Sequence, residues 1–142
     1  MIRETTPDIV LGHDPWRRWR MHPDHRNAGF LTVDAVVAAR DPHYHREHMA
    51  DGLTYHRPRA LLLFECEEPD HVGRIEQRHV DAKVKALLAH ESQFETTMVI
   101  AADDDGTQAA AFRERTERKA RTHGRIGGVG LGEAFRLMDP AS

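Results

Sequence analysis

The stretch that decides the fold runs from residue 9 to residue 40 and reads IVLGHDPWRRWRMHPDHRNAGFLTVDAVVAAR. It begins with the apolar run Ile9-Val10-Leu11 and ends with Ala28 to Arg40, an almost uniformly apolar segment that predicts a well-buried helix. A second apolar run follows at Ala60 to Phe64. Neither run alternates with polar residues, which is typical of strands covered on both faces of a parallel sheet. The order strand, helix, strand therefore predicts a right-handed βαβ unit of an α/β protein.

The tetrapeptide His22-Pro23-Asp24-His25 lies just before the predicted helix. It places two imidazoles and a carboxylate near a strand end and a helix N-terminus, where open α/β proteins carry their chemistry. A neutral imidazole binds metals, and a His–Asp pair makes a tuned acid or base. The plainer interpretation is a turn in which Asp24 or Asn27 caps the helix and the histidines are incidental. Spacing alone leaves both interpretations open.

The composition is that of one ordinary globular domain, with 142 residues, 39% hydrophobic and 30% charged. A net charge of −3 gives no general attraction to nucleic acid or to an anionic membrane surface. The basic cluster Arg17-Arg18-Trp19-Arg20 is either a solvated face or a grip for an anionic substrate. Cys66 is the only cysteine, and no apolar stretch approaches a membrane span, so we expect a cytoplasmic protein without an intrachain disulfide.

The second half of the chain predicts two further helices. Val80, Val84, Leu87 and Leu88 recur on one helical face, and residues 108–122 form a polar helix with Glu114 four residues before Arg118. A glycine-rich tail follows at residues 124–132, and it does not match a dinucleotide-binding loop. With only two predicted strands, edges and helix faces would stay uncovered, so the chain is expected to be the later part of a larger domain.

These motifs together resemble the LmbE-like (PIG-L) zinc-dependent N-deacetylases over nearly the whole chain. The resemblance implies a Rossmann-like three-layer α/β fold with a mainly parallel sheet and a single domain over residues 1–142 that lacks the N-terminal part of the fold. The matching segments are Pro7 to Asp14, His22 to His25 with Gly29, Ala38 to Pro42, Val80-Asp81 with Lys83, Ala86-Leu87, His90 to Gln93, and Glu133 to Arg136.

The resemblance also implies a function, namely hydrolysis of an N-acetyl amide on an N-acetylglucosamine-like sugar conjugate with zinc as cofactor. His25 would be a zinc ligand. His22 would stabilise the oxyanion or protonate the leaving amine, and Asp24 would hold and tune His22 as a carboxylate orients the histidine of a triad.

The chain departs from the family pattern in one important respect. The family's other two zinc ligands and its general base come from an early His-Pro-Asp-Asp motif that is absent here. The only candidate, Gly12-His13-Asp14-Pro15, belongs to a different strand in the family, and Arg20 stands where some members carry a tyrosine. Because catalytic zinc normally takes three protein ligands, we expect this chain alone to bind zinc poorly and to have little or no deacetylase activity.

The alternative is a non-catalytic remnant or pseudoenzyme that acts as a protein-interaction module, with self-association through its uncovered surface. Two other clusters complete the candidates. His43, His45 and His48 have a spacing that a transition metal could use. Glu65, Glu67 and Glu68 follow the second strand and would either line a substrate pocket or form a solvated acidic turn. His90 and Gln93 are as well suited to packing as to substrate contact.

Overall fold

The computed structural model describes residues 1–141, which divide into two compact units. The first unit comprises residues 1–71 and the chain from Phe135 onward, and the second comprises residues 72–134. The helices are α1 (Ile2–Thr5), α2 (Pro23–Arg40), α3 (Arg46–Ala50), α4 (Gln77–Leu87) and α5 (Thr107–Ile126). The strands are β1 (Ile9–His13), β2 (Ala60–Phe64), β3 (His71–Ile75) and β4 (Leu131–Met138). A 3₁₀ turn (Glu91–Gln93) and a π-helical turn (Phe94–Met98) follow α4.

The sheet of the first unit contains both strands that the apolar runs predict. Strands β1 and β2 pair in parallel from Ile9 with Ala60 to His13 with Phe64, which confirms the parallel pair. The end of β4 pairs with β2 in the antiparallel direction. Sequence patterning missed β4 because its apolar residues neither alternate with polar ones nor form one run, since Gly132, Glu133 and Arg136 interrupt them.

Helix α2 begins earlier than the apolar segment indicated. It starts at Pro23, and its N-cap is His22, whose Nδ1 accepts a hydrogen bond from the backbone N–H of Asp24 at 3.3 Å. The prediction of Asp24 or Asn27 as the cap was therefore wrong. Proline suits this first helical position because its missing N–H would have no partner there in any case.

The prediction that α2 is well buried was also wrong. Only Gly29, Val36 and Ala39 are buried, whereas Leu31 keeps 68% of its surface exposed and Phe30 keeps 40%. An apolar composition shows that a helix has faces to bury but does not show which of them the rest of the chain covers. Within the described residues, this side of the first unit carries uncovered apolar side chains.

Arg3 anchors α1 to the C-terminal end of α2. Its buried guanidinium donates to five backbone carbonyl groups in and after the last turn of that helix, where carbonyls lack partners within the helix. The interaction also places a cation at the negative end of the helix dipole. The five acceptors are the carbonyl oxygens of Ala38, Ala39, Asp41, Tyr44 and His45.

The second unit is built around the two predicted helices α4 and α5. Val80 and Val84 are buried against Ala120, as the helical spacing predicts, and Leu88 packs at the edge of this cluster. The pair Glu114 and Arg118 lies 3.5 Å apart on α5, also as predicted. Strand β3, which neighbours β4 in the sheet, was missed by the sequence patterning. No helix within residues 1–141 is long and apolar enough to cross a membrane.

Candidate metal and catalytic site

A close backbone approach joins α2 to the end of β1. A Cβ atom on Gly29 would lie 2.7 Å from the carbonyl oxygen of His13 and 2.9 Å from Cβ of Pro15, so only glycine fits at this point of the helix. Gly29 is one turn after His25 along α2. This contact therefore brings the first turn of α2, which carries the predicted site residues, against the carboxyl end of β1.

Three imidazole rings meet at this contact. The ring of His25 stacks on that of His13 with centroids 4.5 Å apart, and on that of His22 with centroids 4.6 Å apart. The His13 ring also contacts Phe64 of the neighbouring strand at 4.4 Å. His25, predicted as a metal ligand, thus has a second imidazole beside it that the tetrapeptide alone does not supply.

Glu65 adds a carboxylate to this group. It follows directly after β2, and the parallel pairing places it next to His13, with Oε2 3.6 Å from Nδ1 of that ring. Its backbone has a φ of 56°, a left-handed conformation that is uncommon for a residue other than glycine and often marks a functional position. The potential ligand atoms of His13, His25 and Glu65 all lie within 4.8 Å of one another. This group could hold a metal ion.

Arg20 is the cation of the cluster. Its Nη1 lies 3.1 Å from Nδ1 of His13 and 3.0 Å from Oε2 of Glu65, and its Nη2 donates to the carbonyl oxygen of Glu65 at 3.3 Å. The side chain is only 5% exposed. Its Nε is buried and has no hydrogen-bond partner among the described residues. The arginine therefore lies inside the group of potential metal ligands and is not part of an open basic surface.

The electrostatic environment favours neutral His13. Partial burial lowers the pKa of His13, and the positive charges of His25 and Arg20 lower it further, while Glu65 acts in the opposite direction. A neutral imidazole is the form that binds a metal.

The other two predicted residues, His22 and Asp24, lie at the exposed rim. The carboxylate of Asp24 is 84% exposed, and its Oδ2 lies 4.0 Å from Nδ1 of His22, which is too long for a hydrogen bond. It is the backbone N–H of Asp24 that donates to Nδ1. Because Nδ1 is an acceptor, the neutral ring of His22 carries its proton on Nε2, where the N–H can donate a hydrogen bond.

The second histidine cluster assembles only in part. His45, Glu47 and His48 have ligand atoms within 4.8 Å of one another, whereas His43 is not in this group. Nδ1 of His45 lies 3.1 Å from Oε1 of Glu47, and Arg3 approaches Nδ1 of His48 at 3.3 Å. The hydrogen bond from Arg3 occupies one ring nitrogen of His48, just as the hydrogen bond from Arg20 occupies Nδ1 of His13, so this contact does not rank the two groups as metal sites.

The remaining candidates lie outside the His25 group. Glu67 and Glu68 line a separate polar cavity of about 280 Å³ together with Cys66, Arg17 and Arg18. Burial raises the pKa of the Cys66 thiol, which agrees with a packing role rather than a nucleophilic one.

His90 and Gln93 belong to the second compact unit, and both are exposed.

Sequence reasoning missed the roles of His13 and Glu65 in this group. His13 is the last residue of β1 and Glu65 is the first residue after β2, so the rule that polar residues gather at the carboxyl ends of parallel strands could have found both. For Glu65 the same rule predicts a pocket residue, whereas the resemblance assigns the segment of His13 to another strand.

Comparison with known proteins supports the resemblance. No family model matches the chain. A diacetylchitobiose deacetylase of Thermococcus kodakarensis is 38% identical over 94 residues, which are 66% of this chain and 35% of that protein. The solved N,N'-diacetylchitobiose deacetylase from Pyrococcus horikoshii, complexed with its inhibitor MPG, matches with a TM-score of 0.77 and 28% identity over 99% of this chain and 49% of its own. The chain thus spans about half, or less, of the length of these relatives.

Two further solved structures show the fold alone. The conserved protein TT1542 from Thermus thermophilus has a TM-score of 0.67 and 24% identity over 98% of this chain and 55% of its own. GalB, the 4-carboxy-2-hydroxymuconate hydratase from Pseudomonas putida, has a TM-score of 0.61 and 17% identity over 96% of this chain and 54% of its own. A hydratase on this fold means that the fold by itself does not decide the reaction. The Rossmann-like α/β fold class is confirmed, and this chain is similar in both sequence and fold to the deacetylases of Thermococcus kodakarensis and Pyrococcus horikoshii, in agreement with the resemblance to the LmbE-like (PIG-L) family.

Proposed function

We propose that this chain carries part of the active site of a zinc-dependent N-deacetylase that hydrolyses the N-acetyl amide of an amidosugar. The observation that carries the proposal is the meeting of His25 with His13 and Glu65, in a chain 38% identical over 94 residues to a diacetylchitobiose deacetylase. The residue roles below and the identity of the metal belong to this proposal.

The residues present fit a zinc ion. Two imidazoles and a carboxylate form a ligand set that catalytic zinc sites use, and such sites keep a fourth position open. In a tetrahedral site the ligand atoms would be about 3.4 Å apart, so His13, His25 and Glu65, now within 4.8 Å of one another, need a small contraction together with a displacement of Arg20 from His13 and Glu65. When bound, zinc supplies a Lewis acid for the amide carbonyl and acidifies water.

His22 is positioned to donate a hydrogen bond or a proton during the reaction. Its ring stacks on His25, and its exposed side chain is accessible to a substrate. With Nδ1 accepting from the backbone of Asp24, the Nε2–H of the neutral ring can donate a hydrogen bond to an oxyanion. To protonate the leaving amine, the ring must first be an imidazolium, in which Nδ1 also carries a proton and no longer accepts from the Asp24 N–H. The carboxylate of Asp24, 4.0 Å away, would stabilise the protonated ring by its charge rather than by a hydrogen bond.

We expect little deacetylase activity from the chain by itself. The family resemblance draws two zinc ligands and the general base from a motif that this sequence lacks. The ligand set of His13, His25 and Glu65 supplies an alternative place for the metal, but nothing in that group replaces the missing general base. Activity is therefore expected from a protein that also contains the remaining half of the relatives' chain.

A chimera tests the proposal. We would join this chain to the part of the Pyrococcus enzyme that it does not cover and measure acetate release from N,N'-diacetylchitobiose with added zinc. We expect turnover in the chimera, loss of both metal and turnover in His25→Ala, and a turnover reduced about 10²–10⁴-fold with metal retained in His22→Gln. His43→Ala, a change at an exposed histidine outside both metal groups, is the matched control and should behave as the parent chimera.

Two results of that experiment would contradict the proposal. If the chimera were folded and fully loaded with zinc but inactive, the assignment of a deacetylase active site to this chain would be refuted. Unchanged turnover in His22→Gln would remove His22 from the reaction.

An interaction module without catalytic activity is the second candidate, and the uncovered apolar side of the first unit favours it. Leu11, 57% exposed, and Leu31 line a groove of about 440 Å³ together with Val10. Such a surface is usually covered by a partner or by a second copy. Sedimentation velocity over a range of concentrations distinguishes the cases, since a monomer at all of them would count against self-association.

A further inference from the structure

We propose that Arg20 is an internal cation that competes with a divalent metal for His13 and Glu65. The inference rests on the metal site of the proposed function, and it concerns the regulation of that site. Nη1 of Arg20 is about equally far from Nδ1 of His13, at 3.1 Å, and from Oε2 of Glu65, at 3.0 Å. The guanidinium thus already contacts two of the three groups that would ligate the metal.

Arginine and metal exclude each other at His13 because an imidazole has limited binding capacity. Nδ1 has a single lone pair, and accepting a hydrogen bond from Arg20 uses it. In the neutral ring the proton then lies on Nε2, so that nitrogen also has no lone pair to offer. While Arg20 donates to His13, neither ring nitrogen of His13 can bind a metal.

Arg20 and the metal also compete for the carboxylate of Glu65. An arginine side chain is always protonated, and that of Arg20 is only 5% exposed, whereas the side chain of Glu65 is 37% exposed, so water screens the attraction between the two charges in part. A divalent ion entering the group would meet this positive charge and would have to take the Oε2 atom from it. The carbonyl oxygen of Glu65 also accepts from Nη2, which fixes the plane of the guanidinium.

One hydrogen-bond donor of Arg20 nevertheless has no partner among the described residues. Its Nε is buried without a partner in the described part of the chain, and an unpaired buried donor costs free energy. The preceding residue, Trp19, has a φ of 60°, so the backbone that carries the arginine is itself in a left-handed conformation. The unpaired Nε lowers the cost of moving the Arg20 side chain out of the group, which makes its displacement by a metal feasible.

Metal affinity, rather than activity, is the direct measure of this competition. We would titrate the purified chain with Zn²⁺ by calorimetry and with Co²⁺ by visible absorption, for the parent and for Arg20→Met and Arg20→Gln. In the parent, only the molecules in which Arg20 is displaced can bind the metal, and this lowers the apparent metal affinity. Both variants should therefore bind the metal about tenfold more tightly. Arg20→Gln keeps a neutral donor for Glu65 and guards against loss of folding, which circular dichroism checks.

Two control variants separate the contact from the charge. Arg20→Lys keeps a cation at this position and should bind metal within about threefold of the parent. Arg18→Met removes the same charge from an exposed residue of the same loop, so it should also stay within about threefold of the parent.

The outcomes distinguish this inference from the proposed function. Tighter binding in both neutral variants, with the two controls unchanged, supports the competition. Equal or weaker binding in the neutral variants overturns it, while binding that still requires His25 leaves the proposed metal site intact. Binding that survives His25→Ala in every variant, or no binding in any variant, overturns the metal site and the competition together.

Discussion

Replacement of Gly29 by alanine should destabilise this protein, although the same change in most helices is stabilising. In an open helix interior alanine is favoured over glycine by about 1 kcal/mol. At Gly29 the added Cβ would lie 2.7 Å from the carbonyl oxygen of His13 and 3.0 Å from the backbone N of Pro15, atoms that cannot rotate away. Overpacking costs about 1–3 kcal/mol, and a clash with backbone atoms belongs to the upper part of that range, about 2–3 kcal/mol. After subtraction of the helix gain of about 1 kcal/mol, we expect a net loss of about 1–2 kcal/mol in the free energy of unfolding.

Urea denaturation followed by tryptophan fluorescence measures the effect of Gly29→Ala. With a denaturant slope of about 2 kcal/mol per molar urea, the midpoint should fall by about 0.5–1 M. Gly130→Ala is the matched control because a Cβ there meets open space, and its midpoint should stay within experimental error. The metal affinity of Gly29→Ala should also fall, since His13 and His25 would be pushed apart. An unchanged or higher midpoint in Gly29→Ala would refute the reasoning.

Two further predictions concern buried polar groups. Arg3→Met should lower the free energy of unfolding by about 3–5 kcal/mol, because five carbonyl groups in and after the last turn of α2 each lose a hydrogen bond from the buried guanidinium. Exposed Arg18→Met should change it by less than about 0.5 kcal/mol, and similar urea midpoints for the two variants would contradict the role of Arg3. Burial, aided by the charge of Lys119, lowers the pKa of His123, whose Nδ1 accepts from the backbone N–H of Ala134 at 3.2 Å. The folded state then binds the proton less readily than the unfolded state, so the free energy of unfolding should fall as the pH drops below 6.5, the ordinary pKa of histidine. The fall should be smaller in His123→Gln. Parallel curves of unfolding free energy against pH for the two proteins between pH 7.5 and 5 would exclude His123 as the cause.

The local parts of this fold could be predicted from the sequence. The runs Ile9-Val10-Leu11 and Ala60 to Phe64 are strands, and the spacing of Val80 and Val84 indicated the buried face of α4. Strand β3 was missed because it is short and contains Gly73, and β4 was missed because its apolar residues neither alternate nor form one run.

The candidate site also has a part that could be predicted from the sequence and a part that could not. His22, Asp24 and His25 were found because they are neighbours in the sequence, at a helix start where such residues gather. Asp24 was expected to hold His22 through its carboxylate, but the capping geometry of Pro23 at the first helical position gave that contact to the backbone N–H. A tetrapeptide specifies which groups are present, whereas the helix cap decides how they face each other.

By itself, the sequence determined the parallel pair of strands, the helix between them and the motif at its start, because each depends on residues close together along the chain. Only the tertiary structure decided that His13 and Glu65 lie beside His25 and that Arg20 contacts both His13 and Glu65. The register of β1 against β2 places Glu65 beside His13, and the absence of a Cβ at Gly29 lets α2 approach that strand end. Register and close approach join residues that are far apart along the chain, and no local pattern encodes such a contact.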